Sequence, residues 1–188
     1  MERQGDARGG AILETTRLRL RPFLPRDLDA LHALFIHPDV RRFLWDDRVV
    51  SRDTVQGLIA ASLASFSVQD FGQWLAEDRG TRVLVGFCGL RPTDDAQEIE
   101  LLYALAPERW GEGLATEAGD AVLTHAFQRV GLPRVVARTD SPNLASVRVL
   151  ERLGMQFEGE RVVNGLPLLH YAISDAAFWE RQRMPPRP

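Results

Sequence analysis

The segment Trp110-Gly111-Glu112-Gly113-Leu114-Ala115-Thr116 constrains this chain more than any other part of it. It joins an apolar stretch of strand character, residues 99–105, to a helical pattern carried by Ala118, Val122, Ala126 and Val130. The start of a helix exposes unpaired N–H groups and the positive end of the peptide dipoles, so an anion is stabilised there. Glycines at alternate positions let the backbone approach that anion without a Cβ in the way. Thr116 adds a hydroxyl donor. The segment therefore predicts a phosphate cradle.

Spacing alone leaves other uses of these glycines open. A dinucleotide-binding turn needs a third glycine at position 116, where Thr116 stands, and an early place in a βαβ unit. A P-loop needs Gly-Lys-Ser/Thr, which does not follow. A tight strand-to-helix turn needs only the two glycines, and the local pattern accommodates it.

The surrounding order narrows the choice. Residues 16–22 alternate apolar and polar side chains, as a half-buried strand does. Pro25 opens a helix to about residue 36, His37-Pro38-Asp39 breaks it, and a short helical turn covers 40–44. Ser51 is a natural N-cap for a helix running to about residue 68. Residues 73–77, 83–90 and 99–105 then read as a three-stranded meander, ahead of the glycine segment rather than behind it. After its helix stops at Gly131-Leu132-Pro133 come a strand at 134–139, a helix at 143–153 and strands at 155–161 and 168–173. This order predicts an α/β (α+β) domain: a mixed, mostly antiparallel sheet of six to seven strands, splayed between 99–105 and 134–139, with helices on both faces.

Length, charge and cysteine use bound the function. With 188 residues the chain suits a single domain, assigned to residues 13–178. Residues 1–12 read as a disordered leader without the apolar core of a secretory signal, and 179–188 as a polar, Pro-rich tail. A net charge of −3 gives no electrostatic footprint for nucleic acid. No apolar run approaches the roughly 18–20 residues of a membrane span. The expected compartment is the cytoplasm. The single cysteine, Cys88, lies in an apolar run and reads as a buried small hydrophobe. No metal site is expected; His37 before Pro38 reads as a capping or surface residue, and His32, His125 and His170 form no constellation with each other.

The run from Glu100 to Ala118 closely resembles the cofactor motif of the GCN-related N-acetyltransferases (GNAT), Gln/Arg-x-x-Gly-x-Gly/Ala. It is most similar to the branch of ribosomal-protein N-terminal (alanine) acetyltransferases, where Trp-Gly-x-Gly-x-Ala-Thr-Glu-Ala recurs. Asn143-Leu144-Ala145-Ser146, followed by Leu150-Glu151-Arg152-Leu153-Gly154-Met155, resembles that branch's second motif, and residues 16–21 its first strand. The resemblance spans about residues 13–173.

It implies the GNAT-type fold and direct transfer of an acetyl group from acetyl-coenzyme A to a primary amine. Backbone amides at Gly111, Glu112, Gly113, Leu114 and Ala115, next to Trp110 and with the Thr116 hydroxyl, would hold the pyrophosphate. Leu102, Tyr103, Ala104 and Leu105 would pair with the pantetheine arm, and Asn143 and Ser146 would flank it. Glu100 is the candidate general base, through water, since an amine of pKa near 10 must lose a proton. A strand-face carboxylate paired with arginine is the competing role for it.

Three positions depart from the family pattern. Trp110 replaces its Gln or Arg, Leu102 a frequent glycine, and Leu150 the tyrosine that often protonates the leaving thiolate. Ser146 or a water then becomes the proton donor. Leu102 and Leu150 also favour the alternative of a non-catalytic acyl-CoA-binding module. The acceptor, a protein N-terminus or a small amine, is expected near Phe43, Leu44, Trp45, Asp46, Asp47 and Trp74, where acidic and aromatic groups suit an ammonium. The family often forms homodimers, so a second copy is the expected protein partner.

Overall fold

The structure, a computed structural model, describes residues 10–93, 98–163 and 165–183. Most of the expected leader, the middle of the hairpin after residue 93 and the last five residues of the expected tail lie outside that range.

Strands β1 (Leu13–Glu14) and β2 (Leu18–Pro22) lead through a 3-10 turn at Pro25–Asp27 into helices α1 (Leu28–Ile36), α2 (Pro38–Leu44) and α3 (Arg52–Gln69). The meander is β3 (Gln73–Asp78), β4 (Leu84–Pro92) and β5 (Ile99–Leu105). Then follow α4 (Leu114–His125), β6 (Arg134–Asp140), α5 (Leu144–Arg152), β7 (Gln156–Val163), β8 (Leu166–Ser174) and α6 (Asp175–Arg183).

Local chemistry sets several boundaries. The His37 side chain accepts from the Asp39 amide and Pro38 takes the first turn of α2, where its missing N–H costs nothing. Ser51 caps α3 by accepting from the Thr54 amide at 3.1 Å. Asp70, at φ 58°, ends that helix in the left-handed conformation. Helix α4 continues into a π-helical turn, Ala126–Val130, which Gly131 closes at φ 76°.

One eight-stranded sheet runs in the order β1-β2-β3-β4-β5-β6-β8-β7. Every described pairing is antiparallel except β5 with β6. The sequence-based count of six to seven strands is thus one short. The extra strand is Leu13–Glu14, paired with Leu20 and Arg19, and two residues are too few to carry a period-two signal. The second departure is α6. Its residues up to Arg183 are helical where the tail was expected from 179. Only Phe178 on it is buried, so the helix has almost no apolar stripe to read; Phe178 anchors it against Phe127, ring centroids 5.1 Å apart.

Helices cover both faces of the sheet. Leu31, Phe35, Val55 and Ile59 pack with Leu75 and Phe87 on one side. Ala118, Val122 and Leu123 of α4 pack with Leu18, Trp74, Cys88 and Leu101 on the other. The period of two in β5 therefore divides its side chains: Leu101, Tyr103 and Leu105 face α4, whereas Leu102 and Ala104 face the α1–α3 layer.

The pairing of β5 with β6 positions the site. It consists of a single register pair, Glu100 with Val136. Beyond that point the strands diverge, β5 staying on β4 as far as Leu105 and β6 staying on β8 as far as Asp140. Backbone donors and acceptors along the facing edges are left without a strand partner. An extended ligand can complete them.

Candidate active site

The open end of the splay faces the first turn of α4. Gly111 and Gly113 both take φ of 78°, and Gly113 is the N-cap residue of α4 with no side-chain cap. A Cβ on Gly111 would meet nothing within 4 Å, and on Gly113 only the Arg17 guanidinium at 3.8 Å. Glycine is therefore required here by backbone conformation rather than by crowding. The first intrahelical bond runs from the Glu117 amide to the Gly113 carbonyl at 3.1 Å, leaving the earlier amides of the turn to an outside acceptor. Thr116 Oγ1 is buried and has no hydrogen-bond partner in the protein. An orphaned hydroxyl beside orphaned amides fits a bound anion.

Neighbouring side chains brace this turn. Arg17 donates to the Glu112 carbonyl at 2.9 Å and pairs with Glu117 at 2.6 Å. Glu117 also accepts from the Thr15 hydroxyl at 2.6 Å and the Arg17 amide at 2.8 Å. Partial burial works to raise this carboxyl, but those hydrogen bonds and the guanidinium outweigh it and hold it below the ordinary range. Glu112 points its own carboxylate at Arg109, away from anion duty. The Trp110 indole N–H donates to the Leu105 carbonyl at 2.8 Å.

Helix α5 supplies the far wall. Asn143 is its N-cap and accepts from the Ser146 amide at 3.2 Å. Ser146 Oγ lies 2.8 Å from the Tyr103 phenol oxygen, so the two sides of the splay touch here. Leu150 is 1% exposed and belongs to the main core.

Glu100, at the apex, is 2% exposed. Arg138 holds its Oε1 at 2.7 Å and Arg91 its Oε2 at 2.9 Å. Burial pushes this carboxyl up, but the Arg138 hydrogen bonds and the charges of both guanidinium groups outweigh it, and the net shift is downward. A carboxylate with both oxygens in charge-assisted bonds is a weak proton acceptor.

The acetyltransferase (GNAT) domain family matches residues 17–156. The chain belongs to that family. The uncharacterised N-acetyltransferase YoaA from Bacillus subtilis (strain 168) is 32% identical over 149 residues, covering 79% of this chain and 84% of the relative. The crystal structure of an acetyltransferase from Agrobacterium tumefaciens str. C58 superposes with a TM-score of 0.78 at 24% identity, over 92% of this chain and 99% of that one. RimL, a ribosomal L7/L12 alpha-N-protein acetyltransferase in complex with coenzyme A, superposes with a TM-score of 0.74 at 20% identity, over 87% and 98%. The glycine segment, the splay and α5 are thus parts of an N-acetyltransferase, and the non-catalytic alternative falls away.

On the α1–α3 side of this GNAT enzyme the expected acceptor residues separate. Leu44 and Trp45 pack beside Leu102 and Ala104. Asp46 and Asp47 are exposed, paired with Arg48 and Arg41. Trp74 does not join them. It is fully buried, stacks edge-on against Phe66 and His125, and donates to the Ala11 carbonyl at 2.7 Å. Its strand alternation puts it on the α4 face, which the aromatic residue type alone cannot reveal.

Asp140, at the end of β6, is a residue that sequence reasoning missed. Partial burial, and secondarily the nearby Asp46 charge, raise its carboxyl above the ordinary value. Among the histidines, His32 and His125 bond backbone carbonyls, whereas His170 pairs in register with Arg138 and is held neutral at pH 7 by burial and by Arg161 and Arg138. Among the described residues no cluster of His, Cys, Asp or Glu could hold a metal ion, and no helix is long and apolar enough to cross a membrane.

Proposed function

We propose that the enzyme moves the acetyl group of acetyl-coenzyme A directly to a primary amine while both are bound. The observation that carries this reading is the single-pair junction of β5 and β6, opening onto the uncapped first turn of α4. Amides at Gly111, Gly113, Leu114, Ala115 and Thr116, with the Thr116 hydroxyl, hold the pyrophosphate. The free edge of β5 from Leu102 to Leu105 takes the pantetheine arm as an added strand. Asn143 and Ser146 line its far side. The RimL structure, which holds coenzyme A on the same fold, supports this placement.

An amide of the splayed strand at Tyr103 or Ala104 stabilises the oxyanion. The incoming amine arrives mostly as ammonium, because its pKa is near 10. Asp46 and Asp140 attract it to the mouth of the cleft, and its proton passes to water there. Glu100 keeps its negative charge and positions the apex by pinning Arg91 on β4 and Arg138 on β6. Direct transfer agrees with Cys88, whose thiol is fully buried and pushed far above its ordinary range by that burial.

Acetyl-coenzyme A turnover should be measured across spermidine, amino-acid amides and peptides beginning with Ala or Ser. Acetylation of at least one, weakened by Asp46→Asn and Asp140→Asn through KM, is the expected result. Turnover indifferent to both substitutions would remove the acidic mouth from acceptor binding.

A further inference from the structure

The contact between Tyr103 and Ser146 joins a strand of the sheet to the helix opposite it. Tyr103 lies on β5, in register with Cys88 of β4, and its ring packs into the α4-side core. Its phenol oxygen sits 2.8 Å from Ser146 Oγ and 3.3 Å from the Ser146 carbonyl oxygen. Towards the Ser146 carbonyl oxygen the phenol can only donate. In the shorter contact either oxygen can be the donor; where the phenol's single proton goes to Ser146 Oγ, that oxygen accepts and its own hydrogen points elsewhere.

We infer that Tyr103 is a positioning residue: its phenol locks the Ser146 hydroxyl so that its proton is directed at the coenzyme sulfur. This rests on the coenzyme placement proposed above. In the transfer, a bond forms between the amine nitrogen and the acetyl carbon. The carbon–sulfur bond breaks with its electron pair going to sulfur. The thiolate accepts a hydrogen bond from Ser146 Oγ, and takes up a solvent proton after release, while the proton shed by nitrogen goes to water. Tyr103 transfers nothing. Burial above all raises its phenol beyond the ordinary value, so it stays protonated and remains a donor throughout. Leu150 leaves room for no phenol of its own on α5, and the serine takes the donor position on that helix.

Coenzyme A itself is the probe. The thiol of bound coenzyme A is titrated by its ultraviolet thiolate absorbance in the unaltered enzyme, in Tyr103→Phe and in Ser146→Ala, with affinity measured by calorimetry. A donor aimed at sulfur lowers the bound thiol, so both variants should titrate about one pH unit higher than the unaltered enzyme. The double variant should go no higher than Ser146→Ala. Coenzyme affinity is measured near pH 7, where the thiol is protonated. A purely structural role would weaken binding and leave the bound thiol unmoved. Tight binding with the same thiol pKa in all three proteins would overturn the lock alone. Absence of coenzyme binding by the unaltered enzyme would overturn the coenzyme site and the lock together.

Discussion

The indole N–H of Trp110 and the carbonyl oxygen of Leu105 are joined by a 2.8 Å hydrogen bond that links the end of β5 to the start of the glycine turn. One side of that bond is the strand edge proposed for the pantetheine arm, and the other is the proposed pyrophosphate cradle. The indole is half exposed, so it contributes little to the core and much to the angle between the two subsites.

Trp110→Phe keeps a ring and removes only the donor. A neutral hydrogen bond is worth about 0.5–1.5 kcal/mol net, so coenzyme A affinity should fall by about two- to tenfold. The melting temperature should barely move. Calorimetric titration checks the first and thermal unfolding the second; an unchanged Kd would detach Trp110 from the site.

At Gly113 the expected cost is conformational. With φ at 78° and no atom closer than 3.8 Å to the place an added methyl would take, Gly113→Ala should lose about 1 kcal/mol of stability from left-handed backbone strain alone. Gly113→Trp adds bulk where the anion is proposed to sit. It should abolish coenzyme binding while the circular dichroism spectrum stays that of the folded enzyme. Retained affinity in the Trp variant would refute the cradle.

Glu100 is expected to matter through structure. Its folded pKa lies below the ordinary carboxylate value, so its contribution to stability is complete above about pH 4.3, the unfolded value, and is lost as pH falls through the folded value. Glu100→Gln leaves Arg138 and Arg91 facing a neutral amide. Because Arg91 is 43% exposed and relaxes into water, the loss at pH 7 should sit near the lower end for a broken buried pair, about 3 kcal/mol. The gap between the two proteins in urea unfolding should close in acid. Turnover should fall by the same factor at pH 7 and at pH 9–10. A loss that shrinks at alkaline pH would restore Glu100 as the proton acceptor.

Elements with a strong local period were legible in the sequence. The strand Ile99–Leu105 and the cradle after it could be placed because an apolar run, two glycines and a helical stripe follow one another without interruption. The partners of Glu100 could not. Arg91 lies nine residues away and faces Glu100 only through the exact register of the β4–β5 hairpin, and Arg138, thirty-eight residues away, becomes a neighbour only because the sheet order brings β6 back beside β5. Trp74 leaves the acceptor region for a related reason: an aromatic side chain on a strand goes to whichever face the alternation dictates, and the pairing of Trp74 with Cys88 puts it on the α4 side. The Tyr103–Ser146 contact spans 43 residues and has no local signature either.

Leu150 tests whether the thiolate needs a phenol on α5. The side chain is 1% exposed and embedded among the residues of the main core, so its replacement is felt first as packing. Leu150→Ala should cost about 2–5 kcal/mol by opening a cavity. Leu150→Tyr forces a larger ring and a hydroxyl into filled space, and should cost about 1–3 kcal/mol by overpacking. A thiolate with a pKa near 8.5 is already a tolerable leaving group at neutral pH, so an added acid has little barrier left to lower. Single-turnover rates with saturating acetyl-coenzyme A should therefore show no gain in Leu150→Tyr, even at temperatures well below its unfolding transition. A rate increase of tenfold or more would mean that proton donation to sulfur limits this enzyme, and that a hydrogen bond from the serine on α5 does not replace it.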